Sequence, residues 1–538
     1  MTVARYARAS GSGRELTGTN SQDEAAPSPG RPSTAQVAGA GAWALSGRVV
    51  MLLANLVTIP FTVRLLGPSR YGLWALLQTT LTWAALADVG MSSASTKFSS
   101  ERYALGDPEG ESAVVWGAAG ITGLSTGIVA LAMAVEAPYL LGHLLKVPST
   151  LLGPGVTGLR LACALLLVQS LSGTVNTPQL VRLRWRSYTL ITNSGNLVAS
   201  VGIPVALALV AGGVVTAATV NLAGACLALA ANLYMARRLM PQWRRPRTGD
   251  GVARQLLSYG GNLTVSALAS IGIATGQRFF LAHNHSTTTV AYYAVAATLG
   301  TTLYFLPAQL CAPLMPGLSR LEATGDRPRQ SALYGKSLQF VYLVLTPCAI
   351  ALAFVAQPFL RVWAGPVYAV HSTLPVLMII VGAWFNALGE VPMTYLLASG
   401  RTKVIARVQL AEIGPYLVGA WFLTSRFGAA GAAGVWAGLL VVQSLIWRLA
   451  TRRAAPYLPS SPLPARGRRA VLVAGAMGAF ALVGTLSPNV LIVRAPLAVM
   501  GAAVYFATVW DYVLTSSERQ GLRRLATEIS GRARPIST

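Results

Sequence analysis

The chain reads as an all-α integral membrane protein with about fourteen spanning helices. Three observations predict this. Of its 538 residues, 53% are hydrophobic and 11% charged, against about 25% charged in a soluble domain. The apolar residues come in runs of about 20, the length that crosses a bilayer. The basic residues, which give a net charge of +25, collect in alternate loops, as the positive-inside rule requires.

Taken in order, the expected spans are 38–66, 71–97, 112–135, 156–181, 187–211, 213–236, 255–281, 287–316, 334–357, 373–398, 403–425, 428–450, 470–487 and 493–514. Residues 1–37 are rich in Ser, Gly, Ala, Pro and Thr and hold no apolar core of signal-peptide type. They read as a disordered cytoplasmic tail. With the N-terminus inside, 33 of the 42 Lys and Arg fall in cytoplasmic regions. Six fall outside: Arg64, Arg70, Lys146, Arg361, Arg426 and Arg494. Both termini are then cytoplasmic, in a multi-pass protein of the inner membrane. The same placement argues against nucleic-acid binding, because no soluble domain carries the basic residues. Cys163, Cys226, Cys311 and Cys348 all lie in apolar segments and form no CxxC, so they read as small hydrophobes.

The chain is organised around Ile59 to Arg102. Pro60 lies inside the first helix, where it removes a backbone hydrogen bond and should bend it. Arg64 and Arg70 flank the turn Gly67-Pro68-Ser69, and Tyr71-Gly72 opens the second helix. The run Arg64 to Gly72, followed by Asp88 to Ala94, resembles the start of the polysaccharide flippases, the O-antigen and exopolysaccharide branch of the multidrug/oligosaccharidyl-lipid/polysaccharide exporter superfamily. The resemblance returns at Ala291-Tyr292-Tyr293, at Pro316 to Leu321 and at Gly428 to Ala433. It covers roughly residues 40 to 450.

A repeat at an offset of about 220 residues relates Arg70-Tyr71-Gly72-Leu73 to Ala291-Tyr292-Tyr293-Ala294, and Gly212–Gly224 to Gly428–Gly438. It divides the chain into a six-helix bundle at 38–239, a basic cytoplasmic linker at 240–254 and a second six-helix bundle at 255–451. A cytoplasmic linker at 452–469, two further helices at 470–514 and a basic cytoplasmic tail at 515–538 follow. The resemblance implies that the two bundles form a V-shaped central cavity, with the substrate site between the halves.

Charges at mid-membrane cost about 2.5–3.5 kcal/mol on insertion scales, so those present are functional candidates. The cations are Arg48, Arg160 and Arg278. Guanidinium groups bind phosphate through paired, charge-assisted hydrogen bonds, and the resemblance implies a cationic cavity for an undecaprenyl-pyrophosphate-linked sugar. Arg160 lies nearer a helix end, where snorkelling to the interface is an alternative. Asp88, Glu390 and Glu412 are the acidic candidates, as counter-ions or coupling-ion sites, with Arg407 an alternative partner for Glu412. Arg64, Gly67, Pro68, Tyr71 and Gly72 carry the family pattern at the outer turn, where fold stabilisation or lipid-headgroup contact is expected. Glu101, Asp107, Glu109 and Glu111 read as solvated loop charges.

No catalytic residue, cofactor or metal site is expected. His283-Asn284-His285 has no acidic neighbour, no Gly-rich phosphate loop follows a strand and no GxSxG elbow appears. The resemblance implies a flippase that carries a lipid-linked oligosaccharide across the inner membrane by alternating access. Membrane lipids are its surroundings, and polysaccharide polymerase or assembly proteins are candidate partners of its tails. The alternatives are a peptidoglycan-precursor flippase, a drug/cation antiporter of the same superfamily, and a polysaccharide-assembly enzyme or scaffold.

Overall fold

The computed structural model describes residues 34–210, 212–240, 251–311, 314–459 and 490–510, with 475, 478 and 519. Within these segments some side chains, including that of Arg48, lie outside the described set. Every regular element among the described residues is helical. In chain order they are α1 (Thr34–Ala84), α2 (Met91–Ala104), α3 (Pro108–Val135), α4 (Ala137–Tyr139), α5 (Ser149–Val175) and α6 (Thr177–Val181). Next come α7 (Trp185–Val210), α8 (Val214–Leu239), α9 (Val252–Thr275), α10 (Gln277–Asn284), α11 (Thr287–Cys311) and α12 (Leu314–Thr324). The last are α13 (Arg327–Trp363), α14 (Pro366–His371), α15 (Thr373–Ala398), α16 (Thr402–Ala454) and α17 (Leu491–Thr508).

Eight helical segments among the described residues are long and apolar enough to cross a membrane. Two of them, Val50–Ala104 and Lys403–Ala454, are long enough to cross twice, with 55 and 52 residues against about 20 per crossing. Each changes direction at one glycine. Gly67 has φ 70° inside α1, and Gly428 has φ 55° inside α16. An L residue with a side chain adopts such angles only at a cost, so a one-residue reversal between helices selects glycine. Helical angles continue through Pro60, and the break inside α1 falls at Gly67. The expected span 470–487 lies almost wholly outside the described residues.

The expected continuous span 71–97 is interrupted. α1 passes into a 3-10 turn at Ala85–Asp88, after which Val89 and Gly90 take φ 51° and 65° before α2 begins. A β-branched residue in the left-handed region is an outlier that the surroundings must hold in place.

The helices pack in two sets. In the first, α1 packs on α7, α3 on α5, and α8 on α5 and α7. In the second, α15 packs on α11, α13 and α16, and α10 packs on α16. The sets meet where α1 lies on α11 and where α9 lies on α2 and α3. Gly72 makes the first contact possible, since a Cβ there would sit 1.6 Å from the Thr287 carbonyl oxygen. The end of the molecule that holds Gly67 is tied across the two sets by hydrogen bonds. Ser69 and Thr288 pair through their hydroxyls at 2.9 Å. The Trp363 indole donates to the Leu56 carbonyl at 2.6 Å. Arg64 donates to the Val362 carbonyl, and a ring nitrogen of His283 lies 2.9 Å from the Leu144 carbonyl. α17 packs on α13.

Candidate polar cavity in the first helix set

Helices α7 and α8 approach closely at Gly195 and Gly224. A Cβ on either glycine would lie within 2.8 Å of the other's carbonyl oxygen. Small residues at a helix crossing let the backbones touch. Here the crossing brings Asn196 of α7 and Asn221 of α8 onto a shared wall.

Around that wall lie three adjoining cavities of ≈ 500, ≈ 420 and ≈ 250 Å³. The largest is bounded by α1, α7 and α8, with Asn55, Thr58, Thr62, Tyr71, Trp74 and Ser200 among its walls. The second lies between α1, the broken turn and α5, bounded by Gln78, Asp88, Ser92, Gln169 and Ser170. The third joins α5, α7 and α8 through Gln169, Asn176, Tyr188 and Thr192. Gln78 faces the first and second cavities, Gln169 the second and third, and Asn196 and Asn221 the first and third. The first two cavities fall in the ordinary range for a small-molecule site, about 300–1,000 Å³.

The lining is polar and nearly neutral. Asp88 is the one Asp, Glu, Lys or Arg among the described residues of these walls. The amide oxygens of Gln78 and Asn176 are buried without a hydrogen-bond partner among the described residues. An amide moved from water to an apolar surrounding without compensation costs about 2–7 kcal/mol, depending on the reference state. These amides therefore face water or a polar ligand.

Asp88 sits at the helix break. Its Oδ1 accepts from the Thr122 hydroxyl at 2.8 Å and its Oδ2 from the Ser92 backbone N–H at 3.3 Å. The Ser125 hydroxyl donates to the Ala87 carbonyl at 2.6 Å. Asp88 thus caps the start of α2 and shows one face to the cavity, and among the described residues it forms no ion pair with an arginine.

The candidate arginines are dispersed. Arg278 lies where the helix sets meet. Its Nη1 donates to the Thr79 hydroxyl at 3.1 Å, its guanidinium lies 5.8 Å from the Tyr293 ring, and its Nε is buried without a partner among the described residues. Beside it, buried Gln277 donates to the Tyr293 hydroxyl at 2.6 Å and accepts from the Tyr416 hydroxyl at 2.7 Å. Arg160 is exposed, with its Nε donating to the Ala134 carbonyl at 3.2 Å, which is the snorkelling geometry. Arg48 lies within α1, and its side chain is outside the described set. Neither Arg160 nor Arg278 is among the described residues on the walls of these cavities.

The acidic candidates of the second set lie away from this cavity. Glu390 is half-buried in α15 and faces Tyr304 and Cys311 of α11. Glu412 accepts from the Gln443 amide at 3.0 Å, an alternative partner to Arg407. At the outer turn, Arg64 makes the interset bond described above, Gly67 is the break, Pro68 resumes the helix, Gly72 admits Thr287, and Tyr71 reaches the cavity wall.

Two loop charges expected to be solvated are built into the fold. Glu111 is 1% exposed and forms a two-pronged pair with Arg182 at 2.6 and 2.9 Å, with Tyr103 4.6 Å from the guanidinium. Asp107 caps α3 by accepting from the Gly110 N–H at 2.8 Å. Charge counting missed the amides altogether. The signal that finds them is Asn or Gln inside an apolar run, which needs a partner as a charge does.

Among known proteins, the family described as "Polysaccharide biosynthesis protein" matches residues 61–373, more than half of the chain. A Shigella flexneri protein named "Putative O-antigen transporter" is 28% identical over 205 residues, which are 38% of this chain and 48% of that protein. The chain thus spans about half the length of this curated relative. Among solved structures, the lipid II flippase MurJ in an inward closed conformation superposes with a TM-score of 0.66 at 11% identity, over 88% of this chain and 98% of that one. An inward-facing multidrug resistance MATE family transporter of the MOP superfamily gives 0.63 at 12% identity, over 75% of this chain and 94% of that one. At these identities the likeness is one of fold.

Proposed function

The chain belongs to the polysaccharide biosynthesis protein family, and from that premise we propose that it is a flippase for a polyprenyl-pyrophosphate-linked oligosaccharide. It moves its substrate across the cytoplasmic membrane for assembly of a surface polysaccharide. The observation that carries this reading is the polar cavity enclosed among α1, α5, α7 and α8. Lipid cannot solvate such a lining, whereas the glycan of a lipid-linked sugar needs one.

In this reading both termini are cytoplasmic and the Gly67 end faces outward, as the basic loops favour. The two helix sets act as the moving bodies, and the bonds of Arg64, Ser69, Trp363 and His283 hold the outer end shut while the cavity loads from inside. Arg278 receives the pyrophosphate at the junction of the sets, Arg48 is the second candidate cation, and the lipid tail stays in the bilayer. Outward movement of the anion down an inside-negative potential releases about 2.3 kcal/mol per charge per 100 mV, so transport proceeds without nucleotide or cofactor. Asp88, Glu390 and Glu412 are the positions for a coupling ion.

The test uses purified full-length protein in vesicles loaded with a fluorescent polyprenyl-pyrophosphate oligosaccharide. Protein-dependent exposure of the label to an external quencher, lost in Arg278→Ala at matched protein level, is expected. No flipping of any lipid-linked sugar, with uptake of an organic cation instead, would overturn the reading in favour of an antiporter.

A further inference from the structure

We infer that the cavity of the first helix set is a subsite for the uncharged glycan of the carried lipid, and that it discriminates against glycans bearing carboxylates. This rests on the flippase reading and specifies which part of the substrate the cavity takes.

The first argument is the chemistry of the walls. Six amides from α1, α5, α7, α8 and the end of α5 face the cavity: Asn55, Gln78, Gln169, Asn176, Asn196 and Asn221. An amide presents donor and acceptor side by side, the pattern needed by neighbouring sugar hydroxyls, which both donate and accept. A phosphate only accepts, and is matched by guanidinium or ammonium groups, of which there are none among the described residues of these walls.

The second argument is that much of this capacity is uncommitted. Asn55 accepts from the Ser200 hydroxyl at 3.0 Å. Asn196, Asn221 and Gln169 make no protein hydrogen bond among the described residues. Gln78 and Asn176 have buried, unpartnered oxygens. Two amides of the helix core are instead chained together, Gln179 donating to Asn232 and Asn232 to Ser172, each within 2.8 Å, although the Gln179 oxygen is also without a partner among the described residues. Trp74 and Tyr71 add ring faces to the same cavity, suited to the apolar face of a sugar ring.

The third argument is the division of charge. Among the described wall residues the one charge is the Asp88 carboxylate, so an acidic sugar would meet a like charge there. Cationic Arg278 stands one residue away through the wall. It contacts Thr79, while the neighbouring Gln78 faces the cavity. A headgroup can therefore lay its glycan among the amides while its pyrophosphate remains at the junction of the helix sets.

The experiment measures equilibrium binding of three probes to the full-length protein in lipid nanodiscs. They are a short polyprenyl pyrophosphate bearing a neutral trisaccharide, the same carrier with a hexuronic acid as its terminal sugar, and the carrier without sugar. The neutral glycan should bind at least tenfold tighter than the bare carrier and about tenfold tighter than the acidic one. Asn196→Ala with Asn221→Ala should bring the neutral glycan to within about twofold of the bare carrier, whose own affinity stays unchanged. Asp88→Asn should narrow the neutral-to-acidic ratio. Gln169→Ala, on another helix, repeats the first test should the double variant fold poorly. A wild-type protein that gains nothing from the glycan, or a gain that survives both amide variants, overturns the subsite. If vesicle flipping persists in that case, the flippase reading stands without it; loss of bare-carrier binding and of flipping together sinks both.

Discussion

Among the described residues the first helix set is the hollow one, with polar cavities of ≈ 500, ≈ 420 and ≈ 250 Å³, and the second is the more solid, with a cavity of ≈ 230 Å³ between α11, α12 and α13. In α7 and α8, 22% of an apolar 18-residue stretch is buried; in α15 the figure is 56%. The second set pairs part of its polar groups with each other, although Glu412 Oε1, the Ser444 hydroxyl and Arg448 Nε are buried without a partner among the described residues. The Trp384 indole donates to Thr346 at 3.0 Å, Gln443 donates to Glu412, and Gln277 joins Tyr293 to Tyr416. The first set leaves amides open toward a cavity. Both sets carry polar ties, and they differ in how much room is left between their helices.

That contrast breaks most easily at Glu111. Its carboxylate anchors Arg182, 17% exposed, beneath the hollow set. Glu111→Ala leaves a covered guanidinium without its partner, and removing one member of a buried pair costs about 3–5 kcal/mol. The expected outcome is a large fall in the thermal midpoint in detergent. The comparable polar ablation in the solid set, Glu412→Gln, removes one charge from a hydrogen bond that the amide can still accept, at about 1 kcal/mol. Equal losses would show that polar ties matter alike in both sets.

Steric change should reverse the ranking. In the solid set, a Cβ at Gly382 would lie 2.7 Å from the Ala437 Cα and 3.0 Å from its Cβ, where α15 meets α16. Gly382→Leu adds a whole side chain to that seam, and overpacking costs about 1–3 kcal/mol. The measurement is again the thermal midpoint, with retention on size exclusion as the check on folding. An unshifted midpoint would mean that the α15–α16 seam is looser than its contacts imply.

The helical, membrane-spanning character was legible because length, apolarity and loop charge all report it. The one-residue reversal at Gly67 was legible as a turn, since Gly-Pro stands between two apolar runs. The break at Val89 was not, because Ala85 to Ser95 reads locally as helix; packing on the second set and the Asp88 cap impose it. The candidate site was legible only in part. Arginines stand out in an apolar sequence, so Arg160 drew notice although it points outward. Asn196 and Asn221 passed as tolerable polar residues, because their importance arises from a close approach of Gly195 to Gly224 that joins two helices. Glu111 passed as solvated because its partner, Arg182, is distant in sequence and meets it only after α3 packs on α5.

The mildest change for stability should be the most telling for transport. Asn221 faces open space between α7 and α8 and makes no protein hydrogen bond among the described residues. Asn221→Phe therefore displaces cavity water and removes an uncommitted amide, without forcing neighbours from their rotamers. The folded protein should keep its midpoint to within about 1 kcal/mol, because the ring adds apolar burial while its bulk enters existing room. The same ring fills the passage that the glycan needs, so flipping in the quencher assay should fall at least tenfold at unchanged protein level. Gly382→Leu should show the opposite pattern, with a lowered midpoint and a residual rate that follows the amount of folded protein. If Asn221→Phe also unfolds the protein, the first set is packed rather than hollow, and the asymmetry between the halves fails. If it folds and still flips lipid-linked sugar at the wild-type rate, the cavity is a water-filled by-product of the Gly195–Gly224 crossing, and the path lies instead along the junction that Arg278 occupies.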